Sequence, residues 1–220
     1  RPPRSTLFPY TTLFRSSPCC PLFCFSPVHH NVFIDWNLLN SYMIITISGK
    51  PGSGKSTVGR MIAERIGFRF YSVGDIRGRI AVKRGITLEE LNRIAAEDDT
   101  LDREQDMHIE ELGREEDNFV IDGRMAFHFI PHSLKVFLDV DIEVSAERVF
   151  SDIRDDEERC SSVDEMAERL KSRQSSDQKR YLRYYGLDYL DTGNYDIVID
   201  TSGKAVEDIV DMIIDNIRRK

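Results

Sequence analysis

Gly49-Lys50-Pro51-Gly52-Ser53-Gly54-Lys55-Ser56 is the stretch on which the reading of this chain turns. It fits G-x-x-x-x-G-K-[ST], a phosphate-binding loop. The apolar run Met43-Ile44-Ile45-Thr46-Ile47 precedes it, and a helical pattern from Thr57 to Ile66 follows. Strand, glycine loop and helix in that order are what give the motif physical meaning. Gly49, Gly52 and Gly54 let the backbone curl around an anion without Cβ clashes. The loop amides then converge as a nest, and the helix N-terminus adds its positive end. In that geometry Lys55 reaches the β- and γ-phosphates of a nucleotide, and the Ser56 hydroxyl is placed to hold Mg²⁺.

The first 42 residues read differently from the rest. They carry Cys19, Cys20 and Cys24, the single tryptophan Trp36 and several prolines, and they lack periodicity over any useful length. Residues 6–16, Thr-Leu-Phe-Pro-Tyr-Thr-Thr-Leu-Phe-Arg-Ser, look like one reading frame of a sequencing adapter. Residues 1–42 are therefore expected to be a disordered, non-native or untranslated-region-derived extension, with Met43 as the start and 43–220 as one domain. A signal peptide fits poorly, because the apolar stretch around Leu22–Phe25 is short and broken by Pro21, Ser26 and Pro27.

The whole chain has formal charge −8, and the extension's three arginines and one aspartate leave −10 for residues 43–220. Such an acidic body argues against nucleic acid as a partner, since a phosphate backbone demands a basic face. Only Cys160 remains after Met43, so neither a disulfide framework nor zinc spacing is available. No long apolar run marks a membrane span. The expectation is a cytoplasmic monomer acting on small molecules.

Short apolar strands alternate with helical patterns along the remainder. Strands are expected at 69–72, 118–122, 134–139 and 196–200. Helices are expected near 75–83, 88–97, 101–115 and 143–153, from a Ser162 cap to about Tyr185, and over the final stripe of Val206, Ile209, Val210, Ile213, Ile214 and Ile217. Thr87 to Glu90 and Ser162 to Glu165 both read as capping boxes. The βαβα order with such apolar strands predicts an α/β fold, a parallel sheet covered on both faces.

Three charged groupings stand out. Asp122-Gly123-Arg124 follows a buried strand, and ligands of open α/β sheets bind beyond the carboxyl ends of strands. There Asp122 is placed to join Ser56 on Mg²⁺, and Arg124 to clamp a phosphate in bidentate fashion. Arg173, Asp177 and Arg180 share one helical face at i, i+4 and i+7; they grip a phosphate and a sugar hydroxyl, or they form only a surface ion pair. Arg148, Arg154, Arg159, Arg169 and Lys171 crowd the same region, as a lid over transferring phosphates would require. Ser72-Val73-Gly74-Asp75-Ile76-Arg77 completes the set, with Gly74 for a close turn and Arg77 for an anion. His108, His128 and His132 form no ligand spacing and are read as surface or packing residues.

Together these segments resemble the short, archaeal-type cytidylate kinases of the nucleoside monophosphate kinase family. The resemblance covers essentially all of 43–220 and extends to Arg180-Tyr181, Tyr184-Tyr185-Gly186 and Tyr195-Asp196-Ile197-Val198-Ile199-Asp200-Thr201. It implies a three-layer P-loop kinase fold of about five parallel strands, with an Arg-rich helical lid and an acceptor-binding segment. It implies transfer of phosphate from ATP to CMP or dCMP. It places ATP on Gly49, Lys50, Pro51, Gly52, Ser53, Gly54, Lys55, Ser56 and Thr57, and the acceptor on Ser72, Gly74, Asp75, Arg77, Gly123, Arg124, Arg173, Asp177 and Arg180. Lys55, Arg124, Arg173 and Arg180 would be catalytic, with Asp177 facing the acceptor sugar. One departure concerns the acceptor arginine of adenylate kinases, whose position here holds Gly78, so Arg77 or Arg79 must serve. The rivals are a kinase for AMP, UMP or a metabolite hydroxyl, and a nucleotide-dependent switch. A switch has no need of the Arg-rich helix, and no [NT]-K-x-D guanine-reading motif is present.

Overall fold

Three strands are fully buried: β1 (Ile44–Gly49), β3 (Phe119–Asp122) and the centre of β4 (Leu134–Asp139). Strands this rich in Ile, Val, Leu and Phe are covered on both faces, and they occupy the middle of the sheet. The computed structural model describes residues 43–87, 90–91, 93–94, 100–151 and 160–219, which lie within one unit, Asp35–Lys220. The expectations for 1–42 and for most of the helix near 88–97 fall outside those residues, as do Arg154 and Arg159.

Two edge strands, β2 (Arg69–Ser72) and β5 (Ile197–Asp200), complete a five-stranded sheet of order β2-β3-β1-β4-β5, with every pairing parallel. Coverage on both faces holds at the centre and fails at one edge. Burial in β5 alternates, and Val198 is 46% exposed. Ile197 and Ile199 of β5 pack in the core with the last helix of the chain, while Val198 points the other way.

The helices follow from their sequence signals. α1 (Lys55–Ile66) begins inside the glycine motif, two residues before the apolar pattern starts, because Gly54 takes a left-handed conformation and turns the chain into the helix. α2 (Val73–Arg84) starts directly after β2, with the Ser72 hydroxyl accepting from the Asp75 amide. α3 (Thr100–Glu115), the single-turn α4 (Ala126–Phe129) and α5 (Ile142–Ser151) come next. The longest, α6 (Val163–Tyr185), is capped by the Ser162 hydroxyl at the Glu165 amide. The return half of that box is displaced by one residue, since the Glu165 carboxylate accepts from Ser161 and not from Ser162. At the other expected box, the Thr87 hydroxyl accepts from the Glu90 amide. α7 (Val206–Arg219) closes the chain.

The sheet is the middle of three layers. Ile45 and Ile47 point to one face and pack with Val58 and Ile62 of α1 and Ile209, Val210, Ile213, Ile214 and Ile217 of α7. Each of those buried side chains contributes about 1.5–3 kcal/mol relative to exposure. Ile44, Phe119 and Ile121 face the other way, against Ile109 of α3 and Ala126 and Ile130 around α4. α5 and α6 pack through Ala146, Met166 and Leu170. The C-terminal end of α6 is held by an aromatic cluster in which Tyr181 and Tyr185 meet Phe127, Tyr189 and Tyr195. Among the described residues no helix is long and apolar enough to cross a membrane.

Gly49 sits where β1 leaves the sheet, with φ 147°, and a Cβ there would run into the Leu138 carbonyl of the adjacent strand. Gly49→Ala combines backbone strain with overpacking, so urea denaturation should give a stability loss of about 2–5 kcal/mol. A loss under about 1 kcal/mol would mean that the β1–β4 register tolerates a side chain here.

Candidate active site

The carboxyl ends of β1, β3 and β4 lie side by side, and a cleft of about 1480 Å³ opens beyond them. The glycine loop forms its floor and is held open by neighbours. The Lys50 amide donates to the Leu138 carbonyl at 3.2 Å, and the Lys50 ammonium pairs with Asp139 at 2.6 Å. From α5, the Ser145 hydroxyl donates to the Pro51 carbonyl at 2.7 Å. Ser145 also fills the space a Cβ on Gly52 would need, and Gly52 is left-handed at φ 68°, so glycine is required twice over. No sequence signal marks Ser145, which is one small residue within an amphipathic helix.

Lys55 curls into the hollow its own loop encloses. Its ammonium donates to the Lys50 carbonyl at 2.6 Å and to the Ser53 hydroxyl at 3.4 Å. Burial, reinforced by the positive charge of Arg124, pulls its pKa down to about 7. A lysine so placed gains its charge when anions enter beside it.

At the next residue, the Ser56 hydroxyl donates to the Asp122 carboxylate. Asp122 ends β3 opposite Ile47 and is 5% exposed. The pair brings one hydroxyl and one carboxylate together at the mouth of the phosphate loop. Such a sparse, hard oxygen set fits Mg²⁺, which keeps waters and phosphate oxygens as its other ligands. Among the described residues, no group of three or more His, Cys, Asp or Glu is arranged for a metal.

Gly123 follows, its amide bonded to the Ile47 carbonyl, while the Ser48 hydroxyl donates to the carbonyls of Gly123 at 2.9 Å and Arg124 at 3.2 Å. These bonds fix the backbone from which Arg124 projects. Arg124 pairs with Asp177 at 3.0 Å, and Arg180 reaches the other oxygen of the same carboxylate at 3.0 Å. Asp177 is 8% exposed, so the motif on α6 is no surface ion pair. Burial lowers the Arg124 pKa, but Asp177, Tyr181 and Tyr189 together outweigh it and hold the guanidinium firmly charged. Two guanidiniums share one carboxylate, and Arg77 and Arg173 line the same cleft. The local charge is positive in an otherwise acidic protein.

The expected donor residues from Pro51 through Thr57 line the cleft, whereas Gly49 and Lys50 do not. Gly49 belongs to the strand, and the Lys50 side chain is turned to Asp139. On the acceptor side Ser72, Gly74, Asp75, Arg77, Gly123, Arg124, Arg173 and Arg180 all line it. Asp75 is also paired with Arg60 at 3.1 Å. Asp177 is not on the cleft surface, because its carboxylate is taken up behind Arg124 and Arg180. Among the lid cations, Arg148 donates to the Thr201 carbonyl at 2.8 Å and its hydroxyl at 3.2 Å, and Arg169 lines the cleft. Lys171 pairs with Glu168 instead. Gln105 lines the cleft without having been singled out by any motif, and Tyr181, quoted above only as part of the resemblance, lines it too. His108, His128 and His132 are exposed, with His128 beside the Phe129 and Tyr185 rings.

Residues 44–203 match the model of the cytidylate kinase-like family. A cytidylate kinase of Methanocella arvoryzae is 36% identical over 180 residues, covering 80% of this chain and 99% of its own. One from Pyrococcus furiosus is 38% identical over 161 residues, covering 73% of this chain and 80% of its own. Among solved structures, the shikimate kinase of Acinetobacter baumannii in complex with shikimate superimposes with TM-score 0.55 at 20% identity, over 81% of this chain and 94% of that one. At that identity the likeness is one of fold, the three-layer P-loop kinase architecture.

The Lys55 environment has a measurable signature. At pH 8 its amine is largely neutral, and a bound triphosphate restores its charge, so ATP binding should take up about one proton. Calorimetry in two buffers of different ionisation enthalpy reads that number directly. The uptake should vanish in Lys55→Ala. Uptake that persists in that variant would assign the proton to another group.

Proposed function

The chain belongs to the cytidylate kinase-like family, and on that premise we propose that it transfers the γ-phosphoryl group of ATP to CMP or dCMP, giving ADP and CDP or dCDP. The observation that carries this reading is the meeting, in one cleft, of a phosphate loop with its buried lysine and a cluster of guanidiniums supplied by β3 and α6.

An oxygen of the acceptor phosphate attacks the γ-phosphorus. The bond from that phosphorus to the β,γ-bridging oxygen breaks, and ADP leaves with the electron pair. The attacking oxygen is already ionised, so no general base is required. The protein's work is alignment, charge neutralisation and exclusion of water. Loop amides and Lys55 hold the donor's phosphates. Arg77, Arg124, Arg173 and Arg180 surround the acceptor phosphate. Asp177 keeps two of those arginines aimed by pairing with both. Ser56 and Asp122 would hold Mg²⁺, which neutralises phosphate charge when bound. The same reading has the protein working as a monomer in the cytoplasm, on small-molecule nucleotides, with no nucleic-acid or membrane partner.

Steady-state kinetics with ATP, Mg²⁺ and a panel of CMP, dCMP, UMP, AMP and hydroxyl acceptors tests the proposal, and CMP and dCMP should have the highest kcat/KM. Equal or better kcat/KM with AMP would overturn the choice of base. Lys55→Ala should lower kcat about a hundredfold or more, because a preorganised donor to the transferring group is worth about 3–4 kcal/mol. Arg173→Ala should raise the KM for CMP and slow transfer while moving the KM for ATP less. Near-normal turnover in Lys55→Ala would sink the transfer mechanism.

A further inference from the structure

We propose that Gln105 reads the base of the acceptor nucleotide and separates cytosine from uracil. The proposal rests on the CMP kinase reading above and supplies the specificity that its phosphate-seeking arginines lack.

Gln105 stands on α3, in the wall of the cleft shared by Arg77, Arg124 and Tyr181. On that reading the arginines are engaged with phosphate. Gln105 is neutral and presents an acceptor beside a donor. Its Oε1 is buried and has no hydrogen-bond partner. Buried polar atoms are nearly always paired, so an amide oxygen left unpaired at the wall of a ligand cleft points to a donor supplied by the ligand. The next residue fixes this part of α3. Asp106 is 8% exposed and accepts from the Tyr185 hydroxyl of α6, which ties the two helices together beside Gln105.

The chemistry of the two edges matches. Cytosine presents the N4 amine, a donor, next to N3, an acceptor. A carboxamide presents the reverse order, oxygen acceptor next to NH₂ donor, so the two form a pair of parallel hydrogen bonds. Uracil offers O4 as acceptor beside N3–H as donor. To meet it the carboxamide must rotate by half a turn, removing its oxygen from the buried position. Adenine shows the same edge order as cytosine, so Gln105 discriminates between pyrimidines and leaves rejection of purines to the size of the compartment.

A small cavity of about 20 Å³ adjoins Gln105, between Asp106, Arg124, Tyr181 and Tyr185. It has room for a single water, and a water held there is the competing partner for the amide.

The test is Gln105→Ala in the full chain, assayed with CMP and UMP and followed by thermal denaturation with and without CMP. kcat/KM for CMP should fall by about tenfold or more, because a site that hydrogen-bonds one edge discriminates through those bonds. UMP should change little, so the CMP to UMP ratio collapses. The melting temperature without nucleotide should hold, and its rise on adding CMP should shrink. Gln105→Glu keeps the acceptor for the N4 amine and loses the donor to N3, so it should retain part of the preference. An unchanged CMP to UMP ratio in Gln105→Ala would overturn the proposal. So would equal losses for both bases with a lowered melting temperature, the pattern of a water-bonded packing residue. An unaltered chain that phosphorylates neither CMP nor dCMP would instead remove the kinase reading beneath it.

Discussion

The position of β1 between β3 and β4 governs everything else in this protein. Parallel pairing on both sides brings the ends of three strands to one edge of the sheet in register, Ile47 opposite Asp122 and Gly49 opposite Leu138. The glycine loop, the Asp122-Gly123-Arg124 turn and the Asp139 carboxylate that anchors Lys50 therefore emerge together. No loop has to reach for another. Burial of β1 on both faces makes the register rigid, since a slip of one residue would exchange Ile45 and Ile47 for Ile44 and Thr46 between two different cores. Thr46 reinforces it through a buried hydroxyl pair with Ser133 at 2.9 Å.

Much of this was legible beforehand because it rests on local rules. The loop motif fixes its own conformation, and β1, β3 and β4 betray themselves as short runs rich in Ile, Val, Leu and Phe. The stripe from Val206 to Ile217 can only be a helix against a core. What was not legible depends on meetings between distant segments. Asp177 reads as a carboxylate on a helix face, and only the fold reveals that Arg124, 53 residues earlier in the sequence, reaches it. Ser145 and Gln105 belong to no motif, because a single hydroxyl or amide acquires its role from whatever faces it. Lys50 sits inside the loop signature and yet pairs outside the cleft, since a consensus that allows any residue at a position says nothing about where its side chain turns. The edge strand β5 looked as apolar as the rest, and its exposure follows from sheet order, which no local pattern encodes.

The charge distribution follows one logic. An acidic surface repels nucleotides, so binding depends on a concentrated pocket of positive charge within it. Burying several cations together is costly unless something offsets their repulsion. Asp177 does so for Arg124 and Arg180, and burial does so for Lys55 by lowering its affinity for a proton. The positive charge of the site is thus held under two kinds of restraint that an arriving phosphate relieves in different ways.

The contact from Ser145 to the Pro51 carbonyl ties the two halves of the cleft mechanically. Ser145 belongs to α5, α5 packs on α6, and α6 carries Arg173, Asp177 and Arg180. The glycine loop and the helix that carries those three residues are thus joined through α5. On the proposed reading, a shift passed along these contacts would couple the two substrates, and because coupling between sites is reciprocal, each would change the affinity for its companion by the same factor. Cooperativity between two substrates would then be a property of the frame and would need no separate regulatory site.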